Sequence, residues 1–499
     1  MPVAKTDLAL LRQTLSRFPT GSAWPSGQTP PPDQIFTANR HRNVLDISRS
    51  LVVGNRGVGK TFWSHALSDP KGREVVAKAY ALPELLTIDA VFGFRGAFAD
   101  ELAPSAVVFS KALEHVPDPL VVWQAVLLRC YQSPLMAGIP NDLTQLSKWF
   151  ADHPEKGERL IRQADEERGL SGKPLLVLFD ALDTLASDWE GIRTRTEGLL
   201  RLALLVKGLN STHVKIFMRP DQFADTSIFR FPDASKLRAE RVELQWSFAD
   251  LYSLMFFHFW RDASVREALK RVLGITGDLF EEAGGYLRPF AVGNEVIQRP
   301  MFTRLAGPWM GTNRKRGSTY SWLVQHLADA RGETTPRGFL TALREAGTYQ
   351  PSPAETVIDF RGIQHGVAEA SDNRVDDLLQ DYWWIDYIKS PLAGLETPLE
   401  KDVLLNAWRA AGSANLVKRS AKSKGLLPVY LSLRPRADKL PEQFAKVLES
   451  DETALLETLR LIGVAEIRPN GKVNIPDIFR VAFKMKRRGG VPPKQLLAG

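Results

Sequence analysis

Gly54-Asn55-Arg56-Gly57-Val58-Gly59-Lys60-Thr61 follows directly on the apolar run Ser50-Leu51-Val52-Val53. The octet fits the P-loop pattern G-x-x-x-x-G-K-[ST], in which glycines let consecutive backbone N–H groups turn inward onto phosphate oxygens. With glycine at roughly 7% of residues, a chance match somewhere in a chain of this length has odds of about 2%. The preceding run reads as a short buried strand and Thr61–Leu67 as the helix that follows, so strand, loop and helix come in the order the motif needs. Lys60 is therefore the candidate to reach the β and γ phosphates of a nucleoside triphosphate, most simply ATP, and Thr61 to ligate Mg²⁺. The rest of the loop, Gly54, Asn55, Arg56, Gly57, Val58 and Gly59, would cradle the phosphates.

Two more apolar runs extend the pattern. Pro174-Leu175-Leu176-Val177-Leu178-Phe179 ends on Asp180, and Val214-Lys215-Ile216-Phe217-Met218 ends on Arg219, with helical spacing over Ile192–Gly208 between them. Strands alternating with helices predict a parallel sheet with crossover helices and a ligand site at the strands' C-terminal ends. Asp180 at such an end, beside the loop, is the expected second carboxylate on the Mg²⁺ side. The next position, where many ATPases place a water-activating glutamate, is Ala181. Asp183 is a candidate to orient water if the chain turns there, and equally a helix N-cap. Arg219 is a candidate reporter on the γ-phosphate, with half of a surface salt bridge as the alternative.

Further along, Ser247 to about Ala346 is helical in pattern, with Leu251–Trp260, Tyr320–Ala330 and Gly338–Ala346 as its clearest segments. Thr335-Pro336-Arg337 opens the last of these. Arg337 is a candidate to reach the phosphates when this helical lid closes, and equally an ordinary exposed arginine. Tyr349–Leu395 is mixed and carries Tyr382-Trp383-Trp384, a packing cluster. Near the C-terminus Glu452–Leu461 reads as a helix, and Val464–Arg468 and Lys472–Ile475 flank Pro469-Asn470-Gly471, a hairpin turn signal. Helix followed by hairpin suggests a winged helix.

The expected class is thus α/β: a doubly wound parallel-sheet P-loop NTPase domain over 34–246, a helical lid over 247–346, a junction over 347–395 and a basic winged-helix-like domain over 396–499. An N-terminal helix at Thr6–Phe18 and a Pro-rich linker occupy 1–33. Length alone suggests about three domains.

Charge separates these parts. The whole chain carries +8, yet Lys401 to Gly499 holds 19 Lys and Arg against 9 Asp and Glu, leaving the first 400 residues slightly acidic. That asymmetry points to nucleic acid as a partner of the C-terminal module, through Lys418, Arg419, Lys422, Lys424, Lys484, Lys486, Arg487 and Arg488. A soluble lysine-rich face is the plainer alternative. The single cysteine, Cys130, excludes an intrachain disulfide and a cysteine-rich metal site. Charges among the N-terminal leucines do not fit a signal peptide, and no run of 18 apolar residues is present, so a cytoplasmic chain without a membrane span is expected. His41, His115 and His326 stand isolated, and no structural zinc is expected. An Asn-Lys-x-Asp guanine element is lacking. Leu170-Ser171-Gly172-Lys173 is too incomplete and too close to Asp180 for a transporter signature.

The P-loop, Leu178-Phe179-Asp180-Ala181-Leu182-Asp183, Lys215-Ile216-Phe217-Met218-Arg219 and Pro336-Arg337 together resemble the STAND and KAP-like branch of AAA+-related ATPases, which includes large bacterial P-loop proteins of unknown role. The resemblance covers roughly Phe36 to Ala346. It implies that Arg219 sits at the sensor 1 position, that Pro336-Arg337 sits at the lid's sensor 2 or adenine-contact position, and that Phe36, Arg40 and His41 flank the base. Ala181 departs from KAP-like proteins, which often carry a second acid there, and makes slow hydrolysis or pure switching more plausible. Such ATPases often self-assemble and borrow a neighbouring subunit's arginine; Arg193 and Arg195 are the candidates, with surface charge an equal explanation. The expectation is an ATP-driven switch controlling nucleic-acid binding and homo-oligomer assembly, in a defence or signalling setting. The alternative is an ATP-regulated docking scaffold for a protein partner or effector.

Overall fold

The computed structural model describes residues 4–20, 29–283, 285–424, 427–433 and 448–487. The chain divides into two compact units, one formed by Trp24–Gln245 with Ala283–Tyr286, the other by Met1–Ala23, Trp246–Glu282 and Leu287–Gly499.

The first unit is built on five parallel strands: β1 (Leu51–Val53), β2 (Asp89–Phe94), β3 (Leu175–Phe179), β4 (Thr212–Met218) and β5 (Val242–Glu243), in the spatial order β2-β3-β4-β1-β5. Leu51 pairs with Ile216 and Val52 with both Phe217 and Val242, so β1 is flanked on both sides. Every residue of β1 and β3 is buried, as continuous apolar runs must be when helices cover both faces of a sheet. One face packs on Trp123, whose ring meets Phe94, Phe109 and Phe179. The expected α/β parallel sheet is present, with two strands that the pattern did not announce. β2 starts on an aspartate and contains Gly93, where a Cβ would lie 2.5 Å from the Phe179 ring. β5 has only two residues.

In this strand order β4 lies between β1 and β3, which brings Arg219 to the middle of the C-terminal edge. Lys215 is the one charged residue of β4. It is fully buried, and its Nζ donates to the carbonyls of Val44, Asp46 and Arg49, each at 2.8 Å, pinning the segment that leads into β1. Its three N–H donors match three acceptors, which offsets the cost of burying an ammonium.

The second unit is helical. Its N-terminal helix, Lys5–Leu15, is held by Asp7, which takes both Arg271 donors at 2.8 Å, and by Arg12 on the carbonyls of Pro353, Thr356 and Val357. Helices Phe248–Trp260, Thr319–Leu327 and Pro336–Thr348 stand where helical spacing places them. The mixed segment instead forms a 22-residue helix, Phe360–Asp381, and Gly366 lets it cross Pro336–Thr348 so closely that a Cβ there would lie 2.0 Å from the Ala342 carbonyl. Trp384 is buried as expected of its cluster.

Helices Lys401–Ala410, Ser413–Lys424 and Asp451–Leu461 precede the antiparallel hairpin β6 (Glu466–Ile467) and β7 (Val473–Asn474), which gives the winged-helix-like order. Gly471 adopts φ 81°, the left-handed geometry that an Asn-Gly turn needs, and Leu399 adds a third short strand segment by bridging to Val473. Among the described residues, no helix is long and apolar enough to cross a membrane.

Candidate nucleotide site

The loop after β1 is shaped by two positive-φ glycines, Gly57 at 81° and Gly59 at 106°. Gly59 caps the helix Lys60–Ser68 from the left-handed region, where any side chain would strain the backbone. Gly54 is required for a different reason: a Cβ there would lie 2.8 Å from Val58 and 3.2 Å from Leu244 on the neighbouring strand's extension. Asn55 and Val58 are buried, whereas Thr61 is exposed in the first turn of the helix. The loop's amides and the helix N-terminus form a concavity of positive potential suited to an anion.

Lys60 folds back over this loop, its Nζ donating to Gly54 O at 2.8 Å and Asn55 O at 3.0 Å. Desolvation pushes its ammonium down to about 8; the Asp180 and Asp183 carboxylates oppose that shift, and the Arg219 cation adds to it. The Asp180 and Asp183 carboxylates after β3 and the Arg219 cation after β4 thus lie within electrostatic reach of Lys60.

Asp180 is buried, and the Ser64 hydroxyl, one turn into the helix, lies 3.1 Å from its Oδ2. Its backbone N–H donates to Phe94 O, so the strand end is fixed on both sides. Immediately afterwards the chain does turn: Ala181 takes φ 56°, packs against Gly96, and starts the short 3₁₀ helix Leu182–Thr184. Asp183 is therefore not an N-cap. Its Oδ2 lies 3.5 Å from Arg219 Nη1.

Arg219 is buried rather than part of a surface pair, and Asp221 grips it with two bonds, Nε to Oδ1 at 3.1 Å and Nη2 to Oδ2 at 2.8 Å. Asp221 escaped the sequence reading. An aspartate in the first turn after Arg219-Pro220 looks like ordinary helix-terminus chemistry, and its only signal was the two-residue spacing from Arg219.

Several other candidates already have partners. His41 is fully buried: Trp63 Nε1 donates to its Nδ1 at 3.2 Å and its Nε2 donates to Gln245 O at 3.1 Å, so it braces the helix after the loop and has no ring nitrogen to offer a base. Arg193 is tied to Asp225, and Arg195 to Leu185 O and Ser110, which removes both as ready donors to a neighbouring subunit. In the helical unit Thr335 caps the helix that Pro336 opens, and Arg337 Nη1 bonds Asp377 Oδ2 at 2.8 Å on the helix Phe360–Asp381. Cys130 is buried, its thiol pushed up to about 12 by desolvation, and is inert. Of the basic C-terminal residues, Arg419, Lys484 and Lys486 are exposed, while Arg487 pairs with Asp477 and Lys418 with Asp451. The side chains of Lys422 and Lys424, and all of Arg488, lie outside the described residues.

No protein-family model matches the sequence, and no curated protein matches it. Among solved structures, the Aeropyrum pernix ORC2 protein in its ADPNP–ADP complexes is similar at 11% identity, over 86% of this chain and 84% of that one, with a TM-score of 0.38. CDC6P from Pyrobaculum aerophilum aligns at 10% identity, over 86% and 83%, with a TM-score of 0.28. The ADP form of the Aeropyrum pernix ORC2 protein aligns at 11%, over 93% of each chain, with a TM-score of 0.31. Likeness at this level carries no weight for function.

Proposed function

We propose that this chain is an AAA+-related P-loop ATPase that binds ATP with Mg²⁺ at Gly54–Thr61 and uses the γ-phosphate to switch nucleic-acid binding and self-assembly. The observation that carries the reading is the convergence of Lys60, Asp180, Asp183 and Arg219 at one edge of the parallel sheet, around a loop whose geometry requires glycine. Mg²⁺ takes hard oxygen donors and keeps several waters. The exposed Thr61 hydroxyl and the Asp180 carboxylate, oriented by Ser64, fit it and would hold it, and the ion would neutralise phosphate charge. Lys60 exchanges its carbonyl partners for phosphate oxygens there. Arg219 senses the γ-phosphate by leaving Asp221, and Asp183, freed from Arg219, accepts a hydrogen bond from attacking water. With alanine at position 181 no stronger base follows Asp180, so turnover is slow.

The exposed cations Arg419, Lys484 and Lys486 support a nucleic-acid partner for the C-terminal module. The test is ATP turnover by the purified chain with and without duplex DNA over a salt series, beside Lys60→Ala and Asp180→Ala. DNA-stimulated turnover that both variants lose supports the proposal. ATP binding with neither DNA affinity nor stimulation overturns the nucleic-acid part and leaves a scaffold for a protein partner.

A further inference from the structure

The average charge of the first 400 residues conceals a local excess. Between Glu295 and Asp329 the chain has no acidic residue, yet it carries Arg299, Arg304, Arg314, Lys315 and Arg316. The last three lie together at the tip of a tight hairpin. Trp309 and Ser318 form an antiparallel bridge at its base, and Met310 N–H donates to Gly317 O at 2.9 Å. Asn313 caps a 3₁₀ turn, Arg314–Arg316, its side chain accepting from Lys315 N–H at 3.1 Å, and Gly311 and Gly317 take positive φ on either side. Thr312 to Arg316 are all exposed, and none of the three basic side chains has a hydrogen-bond or acidic partner among the described residues.

Holding three unpaired cations on adjacent residues costs repulsion that a disordered loop would relieve. A 3₁₀ turn also spaces side chains about 120° apart, so the three fan out around one axis instead of lining one face. A flat anionic surface meets only part of such a fan. A groove walled by phosphates on both sides meets all of it, and a narrow groove concentrates the negative potential. The residues from Gly311 to Gly317 include nothing apolar to enter a bilayer.

From this geometry we infer that the Arg314-Lys315-Arg316 tip is a duplex-DNA contact of the helical unit, inserted into a groove and separate from the C-terminal cations. It shares with the proposed function only the premise that the partner is a nucleic acid. The test uses the full chain and a fluorescein-labelled 20-base-pair duplex, with anisotropy read across a salt series. The triple variant Arg314→Ala/Lys315→Ala/Arg316→Ala is compared with Lys484→Ala/Lys486→Ala. Loss of three phosphate contacts lowers the slope of log Kd against log salt by about 2 to 3 and weakens binding at least roughly tenfold near physiological salt, with ATP affinity unchanged. Because the tip is exposed, the triple variant keeps the wild-type melting temperature, and Arg314→Lys/Arg316→Lys keeps the salt slope. Wild-type affinity and slope in the triple variant, with weakening only in the C-terminal double variant, overturn this inference and leave the proposed function standing. The reverse result supports the tip and removes the C-terminal contact. No duplex binding by the wild-type chain overturns both, and a tip that binds phosphatidylserine vesicles in place of duplex overturns the DNA assignment.

Discussion

Replacing Asp221 with alanine separates a sensing arginine from a merely structural one. Asp221 and Arg219 are both buried and share two bonds, at 2.8 and 3.1 Å, so the variant leaves a buried guanidinium without its main counter-charge. Breaking a buried pair from one side costs about 3–5 kcal/mol. For a unit of this size that corresponds to a melting temperature lower by roughly 6–20 °C. If Arg219 leaves Asp221 to meet the γ-phosphate, the wild-type protein gives up those bonds on binding ATP, and the variant does not. Affinity for a non-hydrolysable ATP analogue relative to ADP should then rise about 10- to 100-fold in Asp221→Ala, a gain of roughly 1.4–2.7 kcal/mol. Isothermal titration of both nucleotides in the presence of Mg²⁺ measures the ratio. A lower melting temperature with an unchanged ratio would show that the pair only supports the fold, and the sensor assignment of Arg219 would fall.

Three further outcomes follow from the same geometry. Desolvation pushes the Lys60 ammonium down to about 8, and a bound phosphate would raise it again, so ATP binding takes up a proton above that pH. Affinity should hold steady just below pH 8 and then fall up to tenfold per pH unit at higher pH; Lys60→Arg should flatten this profile, and a flat wild-type profile contradicts the role. Lys215→Met removes the buried donor shared by the carbonyls of Val44, Asp46 and Arg49, and should cost about 3 kcal/mol in denaturant unfolding. A change under about 0.5 kcal/mol, typical of an exposed site, would mean that the lysine carries no such burden. Gly366→Ala pushes a methyl against the Ala342 backbone and should destabilise by about 3 kcal/mol or more; an unchanged melting temperature would show that the two helices part without cost.

What the sequence conveyed is what local chemistry encodes. The octet from Gly54 to Thr61 needs its glycines wherever it occurs, apolar runs ending on Asp180 and Arg219 announce buried parallel strands, and Asn470-Gly471 announces its turn. Strand order is not local, and nothing in β4 states that it separates β1 from β3. β2 was hidden because an edge strand can start on Asp89 and leave a glycine under Phe179. The helix Phe360–Asp381 lacks a clean apolar stripe because glycines and alanines make its closest contact. The bracing contact of His41 is hidden for a related reason: a histidine near a phosphate loop reads the same whether it faces a ligand or braces Trp63. Arg314-Lys315-Arg316 is invisible in a charge balance over 400 residues, because a hairpin concentrates its charge on three.

Whether the loop holds a nucleotide is decided by calorimetric titration of the purified chain with ATP and Mg²⁺. Saturable, single-site binding is expected that weakens at least about 100-fold in Lys60→Ala, the loss of a charge-assisted phosphate contact of roughly 2.7 kcal/mol. Wild-type protein that fails to bind ATP, or a Lys60→Ala variant that binds it equally well, would contradict it.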